Sequence, residues 1–237
     1  MNHRGVGTLI DYDGTSLIYK TPAPPDYLVE RHRYETAEVI ISDERTIRPE
    51  QRAKIYATIR DIERDTGDWL NKLTEYAWMD FGTKSDRRSI LAGYFKEQFC
   101  IDMGAAYFSL SDCSVTKARL FCQYLLDFCL EHDISLSEPG ISRTDDVDAY
   151  LYACLIHKKC AVCGKRADCH HVDAVGMGFN RKEIIHLGME VMALCRECHS
   201  ECHVRGQKDF DVLYHVYGIA SDEAVCEAYK LNMNRGR

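Results

Sequence analysis

The chain has 237 residues, enough for one large domain or two small ones, and with 46% of them hydrophobic and 28% charged its balance is ordinary for a soluble globular protein. No stretch approaches the roughly 20 apolar residues of a membrane span, and Met1–Ile10 has no apolar signal core, so a cytoplasmic protein without a membrane partner is expected. The formal charge of −7 divides into −8 over residues 1–149 and +1 over 150–237, which argues against a broad nonspecific nucleic-acid surface and leaves local basic clusters to meet phosphate.

In chain order, the first elements read as strands. Apolar runs at 8–12 and 16–19 flank Asp13-Gly14, a hairpin signal. Pro22, Pro24 and Pro25 mark a connection, and Glu38–Ser42 reads as a further strand. From Pro49 the period becomes helical, with Ala53, Ile55, Tyr56, Ile59 and Ile62 on one stripe and Pro49 suited to the first turn. Segments near 69–80 and 86–103 are further helices by the same criterion, and Phe108–Ser111 alternates like a short strand. Ser114 is a cap for a helix over about 115–132. Glu138-Pro139-Gly140 is the best linker, and a short helix over about 145–157 follows. The expected fold is α+β: a mixed N-terminal domain over 1–140 and a metal-stapled C-terminal domain over 141–237.

Twelve cysteines suit metal binding better than a disulfide framework in a chain expected in a reducing compartment. Cys100, Cys113, Cys122, Cys129, Cys154 and Cys226 sit in apolar helical patterns and read as small buried hydrophobes. The informative stretch runs from Cys160 to Arg205. Cys160-Ala-Val-Cys163-Gly is a knuckle, and so is Cys195-Arg-Glu-Cys198, with 31 residues between them. Two such pairs suit one tetrahedral structural zinc.

Between and beyond the knuckles lie four histidines that need a separate explanation. His199 and His203 are four apart, hence on one face of a helix over 197–205, and His170 could approach them from a strand. Three imidazoles around one ion leave positions open for water and a phosphate oxygen. His171, next to His170, points to the opposite strand face, where a neutral imidazole can accept a proton from water.

Residues 160–203 resemble the HNH (ββα-metal) nucleases through Cys-x-x-Cys, His170-His171, and Leu194-Cys195-x-x-Cys198-His199 with a further histidine. They are similar in particular to a phage "putative HNHc nuclease" group, through His170-His-Val-Asp-Ala-Val-Gly-Met-Gly178. The resemblance implies a ββα unit that hydrolyses DNA phosphodiesters, leaving a 5′-phosphate. It implies His170 as metal ligand and His171 as general base, with His199 and His203 completing the site for a catalytic Mg²⁺, Mn²⁺, Ni²⁺ or Zn²⁺. The family's middle Asn is missing; Glu190 stands in its place, and His186 and Asn180 are nearby polar alternatives, His186 being preferred. Arg205, Arg181 and Lys182 are candidate phosphate contacts, set against their reading as solvated surface charges.

The N-terminal part carries a second resemblance, through Ile41–Tyr56 and Phe108–Arg119, to the NinB/Orf family of phage recombination mediators. It implies binding of single-stranded or branched DNA and of single-strand-binding protein, a homodimer, and a phosphate-facing cluster of Arg45, Arg48, Arg52 and Lys54. The combined expectation is a nuclease acting in phage or prophage recombination or replication within a bacterial host. The rival expectation is a zinc-containing DNA-binding module with a weak or inactive centre.

Overall fold

The computed structural model describes residues 8–12, 17–20, 45–66, 84–172 and 184–233. β1 (Thr8–Tyr12) and β2 (Leu17–Lys20) form the expected antiparallel pair, with a register shift between Leu9 and Asp11. The strand expected at 38–42 and the helix expected near 69–80 lie outside the described residues.

Three helices build the first half of the core. α1 (Pro49–Asp65) starts at a proline whose missing N–H costs nothing there, and the Gln51 side chain accepts from Arg48 N at 3.1 Å. It buries Ile55, Ile59 and Ile62 completely against α2 (Lys84–Met103) and α3 (Val115–Glu131), whereas Ala53 and Tyr56, expected on the same stripe, are exposed, because the face turned to α2 and α3 is narrower than the apolar pattern. Ser114 caps α3 by accepting from Lys117 N at 3.2 Å, which satisfies one of the orphan donors of the first turn. Phe99, Phe108 and Phe121 meet edge to face with centroids 5.4–5.7 Å apart, the arrangement their ring quadrupoles favour.

Phe108–Ser111 is a loop, contrary to the expected strand. Phe108 and Leu110 are buried while Ser109 and Ser111 are exposed, so the alternation is real. It arises from a turn closed by Cys113 N donating to Ser109 O at 3.1 Å, with the two serine hydroxyls 2.9 Å apart. Among the described residues no strand lies alongside to pair with it.

Contacts cross the expected boundary at 140. Asp61 of α1, almost fully buried, accepts from Ser137 N at 3.0 Å and from its hydroxyl at 2.9 Å, and lies 3.6 Å from the buried Arg143 guanidinium. The Lys54 ammonium donates to Thr144 O at 2.9 Å and to Asp145 Oδ1 at 2.6 Å. These bonds seat α4 (Gly140–Arg143) on α1 and α3 and lead into α5 (Val147–Ile156), capped by Asp146. α5 is apolar nearly all round, as a helix buried on both sides must be. One side meets α3 and the other meets the C-terminal sheet and last helix.

That sheet has β3 (Asp168–His171), β4 (Glu190–Leu194) and β5 (Ile219–Ala220) in the order β3-β4-β5, all antiparallel. β4 runs straight into α6 (Arg196–Arg205), so β3, β4 and α6 make a ββα unit. α7 (Gln207–Tyr214) and α8 (Glu223–Tyr229) follow. The fold is α+β, as expected. Cys113, Cys122, Cys129, Cys154 and Cys226 are buried and Cys100 half-buried. Burial pushes the Cys122 thiol up to about 12, which keeps it protonated and inert.

Among the described glycines the tightest approach is at Gly140, where an added Cβ would lie 2.7 Å from the Tyr150 ring and closer still to its hydroxyl. Tyr150 is a large, fully buried side chain and cannot give way. Gly140→Ala is expected to lower the unfolding free energy by about 1–3 kcal/mol in denaturant melts. Gly93→Ala in α2 meets nothing within 4 Å and is expected to be neutral or stabilising by up to about 1 kcal/mol.

Candidate metal centre

Two backbone knuckles bring four sulfurs together. In the first, Cys160 N donates to Lys165 O at 2.7 Å and Gly164 N to Cys160 O at 2.9 Å. Gly164 sits at φ 72°, a conformation that side chains resist. Ala161 N donates to Ala193 O at 2.9 Å, which fastens this knuckle to β4. In the second, Cys195 is the N-cap of α6 and Cys198 lies in its first turn.

All four sulfurs lie within 4.8 Å of one another, with Cys163–Cys195 at 3.5 Å and Cys198–Cys163 at 3.9 Å. A tetrahedral zinc with Zn–S of about 2.3 Å sets sulfurs about 3.8 Å apart, so the cluster is consistent with a zinc site. Without a metal the cluster shares its protons unequally: burial pushes the Cys163 and Cys198 thiols up, while at Cys195 burial is outweighed by the Cys198 backbone N–H and the neighbouring thiols, which hold its thiol below the usual range.

A second cluster is made of imidazoles. His170, central on β3 and 5% exposed, faces α6. His199 and His203 stand one turn apart on α6, with ring centroids 4.5 Å from each other and 4.7 and 5.5 Å from His170. Ligating nitrogens of the three lie within 4.8 Å of one another. His170 is buried, His199 half-buried and His203 exposed, so the group is walled behind and open in front. Burial lowers the pKa of His170 and His199, which leaves their lone pairs available to a cation at neutral pH. Three imidazoles with one open side fit a divalent ion that keeps positions for other ligands.

His171 leaves β3 on the opposite side, and its Nε2 lies 2.8 Å from Nδ1 of His186. His186 is positioned by its own backbone, donating to Asn232 O at 2.8 Å and accepting from the Ser221 hydroxyl. Of the two described residues considered for the missing Asn, His186 is bonded to His171. Glu190 is exposed at the start of β4, and Asn180 lies outside the described residues.

A family model described as "Putative HNHc nuclease" matches residues 22–232. The chain belongs to that family. The matched span includes the ββα unit and the helices before it, on both sides of residue 140. No curated protein and no solved structure gives a comparable match. Among the described residues of this HNHc-family chain, no helix is long and apolar enough to cross a membrane.

Among the described residues, two of the basic side chains expected to meet phosphate are held in ion pairs. Arg205 pairs with Glu201 at 2.7 Å, and Glu201 also accepts from Tyr214. Lys54 is engaged by Asp145, whereas Arg45 and Arg48 are exposed near the start of α1 and Arg52 is half-buried. Arg181 and Lys182 lie outside the described residues. Sequence reasoning passed over Gln207 and Cys202, which lie against His170. No motif marks them, because contacts to a ligand's far side have no spacing rule.

Native protein is expected to carry about one zinc per chain in elemental analysis, held by the cysteines. Cys160→Ser is expected to release it and to destabilise the fold by more than about 4 kcal/mol in thermal melts, the range that loss of a metal reaches. Zinc retained at full stoichiometry in that variant would remove Cys160 from the ligand set.

Proposed function

We propose that this chain is a metal-dependent endonuclease that hydrolyses DNA phosphodiester bonds. The observation that carries the reading is the pairing on β3: His170 joins His199 and His203, while its neighbour His171 meets His186 at 2.8 Å. One strand thus delivers a ligand to one side and a hydrogen-bonded imidazole to the other.

A divalent ion bound by His170, His199 and His203 would polarise the phosphate and stabilise the leaving 3′-oxygen. His171 takes the proton from the attacking water. For this it must hold its lone pair at Nδ1, so Nε2–H donates to Nδ1 of His186. His186 in turn keeps its own proton on Nε2, and burial lowers its pKa, which favours the neutral acceptor form. His186 is therefore a positioning residue, in the role that the resemblance gives to the family's Asn. The open side at His203 admits the substrate.

The four cysteines hold a structural zinc. Arg45, Arg48 and Arg52 are the candidate contacts of the N-terminal half with single-stranded or branched DNA, supported by the NinB/Orf resemblance. That resemblance also supports a role in phage or prophage recombination, with single-strand-binding protein as partner and a homodimeric assembly. Lys54 and Arg205 serve DNA only by leaving their present ion pairs.

The test is a panel of labelled duplex, nicked, branched and single-stranded DNAs with Mg²⁺, Mn²⁺, Ni²⁺ or chelator. His171→Ala is expected to lose about 10²–10⁴-fold in cleavage while keeping its metals and DNA affinity. His186→Ala is expected to cut slowly, and His186→Asn faster than His186→Ala, since an amide oxygen can still accept from His171. His170→Ala and His199→Ala are expected to lose the catalytic ion, with partial rescue by excess metal. Cleavage by His171→Ala at the wild-type rate would remove it as the base. A wild type that binds both metals and cuts nothing on the panel would favour the inactive binding module.

A further inference from the structure

Behind His170 lies a chain of hydrogen bonds that the nuclease reading does not use. Gly206, at φ 88°, turns the backbone sharply between α6 and α7. The turn brings Gln207, the first residue of α7, under the His170 ring. Gln207 Oε1 lies 2.9 Å from His170 Nε2 and accepts from the buried Cys202 thiol at 3.2 Å. Gln207 Nε2 donates to Asp211 Oδ1 at 2.7 Å, one turn along α7. Phe210, fully buried, anchors the same helix.

The direction of this chain follows from what each group can do. A carboxylate only accepts, so Asp211 draws the NH₂ end of Gln207 toward itself. The amide oxygen must then face His170. An amide oxygen cannot donate, so His170 Nε2 carries the proton and donates it. The remaining lone pair of this buried ring is at Nδ1, the nitrogen left to meet a cation. Without Gln207 the Nε2–H would be buried and unsatisfied, and the ring could present either nitrogen.

We propose that Gln207, oriented by Asp211, is a positioning residue that locks His170 with its proton on Nε2 and presents Nδ1 to the divalent ion. The proposal rests on the reading of His170, His199 and His203 as that ion's ligands. Groups behind a metal-binding imidazole fix its tautomer and orientation in this way. No property of the four-cysteine cluster enters it.

The test uses the full zinc-loaded chain titrated with Co²⁺, whose visible absorption reports binding at imidazoles, while sulfur-to-cobalt bands in the near ultraviolet report any exchange at the cysteines. Gln207→Leu is expected to bind Co²⁺ about 10–100-fold more weakly and to shift the visible band, with the protein still folded before Co²⁺ addition at a somewhat lowered melting temperature. Gln207→Glu, which still accepts from Nε2–H, is expected to stay within about threefold of wild type or to bind more tightly. Asp211→Asn is expected to fall between the two, because an amide at 211 no longer dictates which way Gln207 points.

Wild-type affinity in a folded Gln207→Leu would overturn the proposal, and so would an equal loss in Gln207→Glu. Should Gln207→Leu fail to fold, Gln207→Glu and Asp211→Asn carry the same decision. A wild type that takes up no Co²⁺ outside the cysteines, or a His170→Ala that binds it normally, would instead overturn the three-histidine centre, and the proposal with it.

Discussion

The start of α6 is fixed by the convergence of four cysteine sulfurs, and the rest of the centre depends on that point. Cys195 is at once a member of the cluster and the residue that caps the helix. His199 and His203 follow it by one and two turns, so their directions are set by where the helix begins. A one-residue slip would rotate both by about 100° and carry them away from His170. The first knuckle is hydrogen-bonded to β4 through Ala161 and Ala193, so strand, knuckle and helix start are held as one body. Apolar packing gives α6 little further anchorage, since Cys198 and Cys202 are its buried residues.

Adjacent positions on a strand face opposite ways, and β3 puts this to chemical use. His170 is buried against α6, where desolvation keeps it neutral. His171 is half-buried on the other side and bonded to a second imidazole. Two identical side chains thus acquire different surroundings from one backbone bond. In the proposed mechanism each is held through Nε2, His170 by Gln207 and His171 by His186. The partners come from different elements, α7 for one and the segment before β4 for the other, so the two could be tuned independently. The same sheet meets α5, which lies between it and the helices of the first half.

Much of this was legible in the sequence because it obeys local rules. The buried isoleucines of α1 (though not Ala53 or Tyr56, which are exposed), the Ser114 cap, the two knuckles and the i,i+4 histidines each follow from spacing along one element. The loop at 108–111 was misread because inward and outward side chains alternate there without a partner strand. The packing across residue 140 was hidden because Asp61–Arg143 and Lys54–Asp145 join residues far apart in the chain. Glu138-Pro139-Gly140 looks like a linker by composition, yet Gly140 is needed for close approach to Tyr150. Gln207 was invisible for the same reason: its role depends on the sharp turn at Gly206 and on the tautomer of a histidine 37 residues earlier.

The centre can be seen directly by anomalous diffraction from crystals of the zinc-loaded protein soaked in Mn²⁺. Data at the zinc and manganese edges would separate the two kinds of ion. The expected map has zinc among Cys160, Cys163, Cys195 and Cys198 and manganese among His170, His199 and His203, with His171 free of metal and still bonded to His186. Manganese absent from the histidines at saturating concentration, or bound instead between His171 and His186, would contradict the assignment of ligand and base on which the proposed nuclease rests.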